Sequence, residues 1–412
     1  MGADTRNETL SRATTELRHG NLVVADLLAQ TLLRAHPEDP LAHNLVGIIA
    51  IKLGLRAEAL AAFERALTAR PGDRAVQDNL LRTKSLPLVQ PVGGERFLLI
   101  KAWGYGFWAD ANHLLGCLLL AEITGRKPVT HWSRRSLFSD GSGDDAFGHF
   151  FEPISDVSIG DLRLLKTGDV FPPHWSTSTL AHDDWTKLQR RGPGGIEFLG
   201  RRETLAVSDF YIGVIDLLPW IPQSHMLHRA TLDQVYCYLT EKYLRPVQYI
   251  TETVARFHRE HLFGRKTMAI HVRGSDKATE FVQLDAFNTE YFSHLDAEPG
   301  ETLFYLMTED ARLLEAFRRR YGNRIVATQS QRTTNDTGPH HLAGVDRKHL
   351  GYEVLVDARI GLHCDGFLGN GRSNVSATIE MMKAWDGKAR LLAPSQLREP
   401  NLHLYGGVLR QG

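Results

Sequence analysis

From residue 97 onward, short uninterrupted apolar runs alternate with longer stretches whose apolar positions recur every three or four residues. Phe97-Leu98-Leu99-Ile100 predicts a buried strand. A loop over 101–109 follows, then a helix that Asp110 would cap and that Gly125 would close after Thr124. Val129-Thr130-His131-Trp132 predicts the next strand. The alternation returns with a strand over 267–272 and another at Thr302–Met307. Next come a helix from Ala311 to Tyr321, capped by Thr308 and stopped by Gly322, and a strand at Arg324–Thr328. A helix at Tyr352–Leu362, a strand at His363–Asn370, a turn over 371–376 and a helix at Ala377–Lys383 complete the pattern. Strand, helix, strand order implies parallel sheets in Rossmann-like layers. Between 155 and 255 the pattern is weaker, with an apolar segment at Ile212–Leu218 and helices at Leu232–Tyr243 and Val247–Phe257.

The front of the chain reads differently. Its first 90 residues repeat with a period of 34, so that Ala13 maps to Gly47, Gly20 to Gly54, Ala25 to Ala59 and Pro37 to Pro71. That small/large pattern is the one tetratricopeptide repeats use: small residues let paired helices approach, and glycine permits the turn between them. Leu60, Phe63 and Leu67 form one apolar stripe at helical spacing, and residues 74–85 predict a single closing helix. Such repeats bind a peptide or protein, pack on the neighbouring domain or mediate self-association. The stretch 85–94, with two prolines and two glycines, predicts a linker. Three units are therefore expected: repeats over 1–88, a first Rossmann-like domain over 95–255 and a second over 256–412.

Composition narrows the field. With 412 residues, 42% of them hydrophobic, the chain can build more than one core. Lys plus Arg equals Asp plus Glu at 48 each, so no global field draws in nucleic acid or an anionic membrane, and any anion site must be local. Cys117, Cys237 and Cys364 are far apart and form no CxxC pair, which argues against a disulfide framework or a zinc site. The first residues carry no apolar signal region, and the longest apolar run, Leu114–Ala121, is too short to span a bilayer. A soluble, cytoplasmic protein is expected. No metal is expected either: the acidic loop 140–145 lacks Ca²⁺-loop spacing, and His340-His341 has no spaced partners.

The chemistry concentrates at strand ends. The strand at 267 runs into His271-Val272-Arg273-Gly274-Ser275-Asp276-Lys277, four ionisable residues within seven positions. Ligands of open α/β sheets sit beyond the carboxyl ends of the strands. Arg offers a fork of donors to phosphate oxygens, and Lys adds a point charge. The turn Gly371-Arg372-Ser373-Asn374-Val375-Ser376 lies between a strand and a helix N-terminus, where backbone N–H groups and hydroxyls suit a phosphate. Helix capping by Ser373 or Ser376 is the alternative. The loop Trp103-Gly104-Tyr105-Gly106-Phe107-Trp108 is not a dinucleotide fingerprint; its aromatics suit either sugar stacking or ordinary packing. The long polar segment Gln329–Arg347 predicts a lid or a flexible insertion.

These patches carry a resemblance. HVRGSDK resembles the basic motif of the GT-B fucosyltransferases: the α1,6-fucosyltransferases, the nodulation-factor enzymes and the protein O-fucosyltransferases. FLGNGRSNVSATIE is similar to their second motif, and segment 103–112 is similar in place to their first loop. The resemblance spans roughly 95–395 and is strong in the two short patches only. It implies two facing Rossmann-like domains, GDP-fucose between them, inverting chemistry and no required metal or other cofactor. It implies Arg273 on the diphosphate with Lys277 assisting, His271 and Asp357 at the guanine, and Ser373 and Asn374 along the phosphates. Gly104 and Trp108, in the segment matching the first loop, would be substrate- or nucleotide-binding. The chain departs from the family at Gly274, where many relatives carry a second Arg. Glu280 is the nearest match to a catalytic base, one residue out of register, with Asp276 and Asp285 as rivals.

The expected function is transfer of fucose from GDP-fucose to a glycan or protein acceptor that the repeats help to hold, with homo-oligomerisation an option for the repeats. Inversion needs a base for the acceptor proton and cations for the leaving diphosphate, roles expected for Glu280 and Arg273. The alternatives are a repeat-bearing scaffold with a degenerate transferase domain and a transferase for another sugar nucleotide.

Overall fold

The structure, a computed structural model, describes residues 3–53, 55–85, 94–134, 136–143, 145–166, 168–182, 194–274, 289–334, 338–339 and 342–399. Five helices open the chain: α1 (Ala3–Arg18), α2 (Leu22–Ala35), α3 (Pro40–Lys52), α4 (Arg56–Ala69) and α5 (Arg74–Ser85). They pack in sequence order, α1 on α2, α2 on α3 and α3 on α4, with α5 closing the row against α4. Small residues set the closeness: a Cβ on Gly47 of α3 would stand 2.4 Å from the Phe63 ring of α4. Ala25, Ile49, Ala59 and Phe63 are buried in a core continuous with that of the next layer. Arg34 of α2 and the buried Asp26, whose carboxyl burial lifts to about 7, meet Asp216 at that junction. A groove of about 940 Å³ runs between α2–α4 and the segment 215–232.

Two parallel sheets follow. The first contains β1 (Phe97–Lys101), β2 (Lys127–His131), β3 (Val170–Phe171) and β4 (Leu205–Ser208) in the order β2-β1-β4-β3. The second contains β5 (Thr267–His271), β6 (Leu303–Met307), β7 (Ile325–Val326), β8 (Gly366–Gly369) and β9 (Ala389–Leu391) in the order β7-β6-β5-β8-β9. Every pairing in both sheets is parallel. β1, β4, β6 and β8 are buried at every position, as strands covered on both faces must be. This is the expected α/β arrangement of GT-B type, two Rossmann-like layers behind an all-helical front.

Several elements differ from expectation in ways that matter later. The helix after β1 begins at Phe107, so Asp110 lies in its first turn, where its buried carboxylate accepts from the Gly104 N–H. It is buried from Phe107 through Ala121, the signature of a helix packed on all sides. The helix Ala311–Tyr321 is capped by Asp310, which accepts from Arg312 N at 2.8 Å, not by Thr308. The expected lid is at its start a fixed wall. Thr333 forms a parallel bridge with Asp310. Arg332 donates to the carbonyls of Thr308, Ser330 and Thr328 at 3.0–3.1 Å. Strands β3, β4 and β9, two, four and three residues long, were not foreseen.

The two layers are bolted together. Asn112 of the first donates through Nδ2 to Thr378 Oγ1 of the second at 2.9 Å, both fully buried. Tyr352 stacks on Tyr249 with centroids 5.7 Å apart, and its hydroxyl donates to Thr253 Oγ1. Arg359 donates to the Leu244 carbonyl. No helix among the described residues is long and apolar enough to cross a membrane, and no group of three or more potential metal ligands occurs among them.

Candidate active site

A cleft of about 580 Å³ opens between the layers at the carboxyl ends of β1, β5, β6 and β8. The loop 104–109 and Leu137-Phe138 form one wall; His271, Arg273, Thr308, Glu309, Asp357 and the turn 372–375 form the other. Of the residues singled out from sequence, Gly104, Trp108, His271, Arg273, Asp357, Ser373 and Asn374 all line it. Asp276, Lys277, Glu280 and Asp285 lie outside the described residues.

His271 fastens two turns to each other. Its Nδ1 lies 2.7 Å from Ser376 Oγ, which also accepts from Asn370 N at 3.1 Å, while Tyr291 donates to the His271 carbonyl. Burial, aided by the Arg273 charge, pushes the imidazole down to about 3, so it is neutral at pH 7. The first chain segment, 271–274, is thereby joined directly to the second, 370–376.

Arg273 projects from that junction with its side chain 21% exposed and its Nε 3.4 Å from Glu309 Oε1. The same oxygen accepts from Gly274 N at 3.0 Å. Gly274 has a steric cause: an added Cβ would stand 2.7 Å from Asp310 Cβ and 2.9 Å from Leu313 Cδ1. A second Arg cannot occupy this position while Asp310 caps its helix.

A guanidinium arrives from elsewhere. Arg372, not assigned a role from sequence, lines the same cleft; its Nη1 lies 3.2 Å from Glu399 Oε2, and its buried Nε has no hydrogen-bond partner among the described residues. Asn370 Oδ1 holds its backbone N at 3.0 Å. Gly371 must precede it, because a Cβ there would meet the Ala393 carbonyl at 2.4 Å. Ser373 follows as the cap residue of the helix Asn374–Met381, yet its hydroxyl makes no capping bond. The alternative of a capping serine therefore does not hold for Ser373, and Ser376 is occupied with His271. Asn374 Oδ1 accepts from Gln396 Nε2 at 2.7 Å, which leaves the amide donors of Asn374 to the cleft wall.

Asp357 sits at the far end among hydroxyls. Thr328 Oγ1 and Tyr305 Oη donate to its Oδ1 at 2.6 and 2.8 Å, and Ser330 Oγ donates to Oδ2 at 3.2 Å. Burial raises its carboxyl, against those hydrogen bonds and the charge of Arg332. An acceptor held so firmly can read an N–H edge of a ligand.

On the opposite wall the four loop aromatics divide. Trp103, Phe107 and Trp108 are buried, Phe107 wedged edge-on against Phe138 and Phe150; Tyr105 alone is open, at 49% exposure. The packing alternative holds for three of them. Glu309, Arg372 and the hydroxyls of Tyr305, Thr328 and Ser330 were missed from sequence. A signal existed for Glu309, a charged residue two positions past a strand end, just as Arg273 is.

In overall fold the chain is similar to several solved structures. One is the fucosyltransferase NodZ from Bradyrhizobium, at 17% identity and a TM-score of 0.47, covering 70% of this chain and 93% of that one. A second is a point mutant of Arabidopsis thaliana FUT1 in complex with GDP, at 12% and 0.46, covering 85% and 81%. A third is POFUT1 in complex with GDP, at 12% and 0.43, covering 74% and 99%. No family model and no curated protein matches the chain.

Proposed function

We propose that this chain is a glycosyltransferase that takes a nucleoside-diphosphate sugar, GDP-fucose by the sequence resemblance, and transfers the sugar with inversion. The observation that carries the proposal is the meeting of Arg273, Arg372 and the uncapped Ser373 hydroxyl on one cleft at the strand ends. Two guanidiniums and a helix N-terminus supply the positive field that a departing diphosphate needs, without requiring a metal to do it. Asp357 is the group suited to the N–H edge of a purine such as guanine. The acceptor hydroxyl attacks the anomeric carbon from the wall of loop 104–109, a base takes its proton, and the sugar–phosphate bond breaks toward the cations. The base expected from sequence is Glu280. Glu309 is less suited, since Arg273 and the Gly274 N–H already engage it.

The helical front, read from sequence as tetratricopeptide repeats, would hold a protein or glycan acceptor along the groove of about 940 Å³. The test is a thermal-shift and donor-hydrolysis panel over GDP, UDP, GDP-sugars and UDP-sugars. Stabilisation by GDP with release of sugar from GDP-fucose is the expected result. A UDP-selective response would assign another donor, and no response to any nucleotide would leave a repeat-bearing scaffold.

A further inference from the structure

Tyr105 is built to stay open. Loop 102–106 turns outward through two left-handed glycines on either side of it, Gly104 at φ +86° and Gly106 at φ +137°. The fully buried Asp110 carboxylate locks that turn by accepting from Gly104 N. Trp103 leans on the Tyr105 ring with centroids 4.9 Å apart, and Phe210 and Tyr211 support Trp103 in turn at 5.2 and 6.0 Å. A ring supported by aromatic neighbours, exposed by the backbone and placed on a cleft wall is preorganised for a ligand.

The surroundings select the ligand. The cations stand on the wall that carries 271–274 and 372–375, and the hydroxyl-bound Asp357 stands there too. The Tyr105 wall offers an apolar ring and a phenol, with burial raising its ionisation so that it remains a neutral donor. Such a face fits the C–H face of a pyranose with a hydroxyl in reach of Tyr105 Oη. It does not fit an anion. Resting on the transferase function above, we infer that Tyr105 is the acceptor platform and that the acceptor presents a sugar ring to it, so the acceptor class is a glycan and not a bare peptide side chain.

The experiment uses the full chain with GDP present and a set of simple saccharides as probes: N-acetylglucosamine, galactose, mannose and glucose. Saturation-transfer NMR reads saccharide binding, and calorimetry reads GDP. At least one saccharide is expected to bind wild type. Tyr105→Ala should weaken it on the order of tenfold, the size of one lost aromatic contact. Tyr105→Trp should retain it, and GDP affinity should not change in either variant. Saccharide binding undiminished in Tyr105→Ala overturns the inference. So does a loss of GDP affinity in that variant, which would make Tyr105 a base-stacking residue. GDP binding without any saccharide binding sinks the inference and leaves the transferase standing; no nucleotide binding at all sinks both.

Discussion

Removing Arg273 or Arg372 tests the site most directly, because the structure gives the two different weights. Arg273 is 21% exposed beside Glu309 at 13%; Arg372 is 28% exposed beside Glu399 at 52%. A hydrogen bond to a charged group contributes about 1.5–3 kcal/mol, the upper end where solvent is excluded. Arg273→Ala should therefore cost GDP about 3 kcal/mol, roughly 100-fold in Kd, and Arg372→Ala about 1.5 kcal/mol, roughly tenfold. Arg273→Ala also removes a cation from beside the half-buried Glu309 carboxylate, which then faces the diphosphate. Adding Glu309→Gln, which keeps an oxygen for the Gly274 N–H, should recover part of the loss. Because the two guanidiniums share one anion, their combined effect should deviate from additivity by about 0.5 kcal/mol or more. Isothermal titration with GDP at fixed low salt reads all five proteins, with thermal denaturation to confirm folding. Wild-type GDP affinity in Arg273→Ala, or Glu309→Gln weakening that variant further, would refute the reasoning.

Two further outcomes follow from the same geometry. The His271 imidazole is lowered from 6.5 to about 3 on folding, so below pH 6.5 the unfolded chain binds a proton that the folded one does not. Stability contributed here is intact above pH 6.5 and falls as pH drops toward 3, by about 2 kcal/mol between pH 7 and pH 5. His271→Asn cannot titrate and should flatten that part of the urea-denaturation profile; parallel profiles for the two proteins would remove the neutral imidazole from the account. Gly274→Arg, which introduces the second Arg of the motif that HVRGSDK resembles, should destabilise by about 1–3 kcal/mol through collision with Asp310 and Leu313, and should not tighten GDP. A stable Gly274→Arg protein with higher GDP affinity would contradict the steric cause.

What was legible in the chain was whatever is local. Buried strands such as Phe97–Ile100 and Thr302–Met307 announce themselves as apolar runs, and His271 and Arg273 as charges at the end of one. The turn 371–376 was legible as a small-residue bend before a helix. Arg372 was overlooked inside it because a sequence does not tell which side of a turn a long side chain takes. Asp357 could be marked, but its three hydroxyl partners come from positions 305, 328 and 330, and only the tertiary fold brings those together. The region 155–255 stayed obscure since β3 and β4 are two and four residues long, too short for any period to register. The segment after 329 reads as a loop by composition, while its anchoring depends on Arg332 reaching three carbonyls.

The two guanidiniums of the cleft come from different turns. Asp310 is fully buried, and its carboxylate caps one helix through Arg312 N. Its Cβ fills the space a side chain at 274 would need, so the first turn can carry one guanidinium only. The second turn carries the other, Arg372, set on a backbone that packs too tightly against Ala393 and Pro394 for anything but glycine at 371. The His271–Ser376 bond then fixes the spacing of the two turns, and the buried Asn112–Thr378 pair ties the second turn's helix to the opposite layer. A positive field held this way needs little reorganisation when a leaving group develops charge, which is where electrostatic catalysis gains most. It follows that loosening the frame at Ser376 or Thr378 should impair sugar transfer more than it impairs binding of GDP in its ground state, although neither side chain is among the cleft-lining residues.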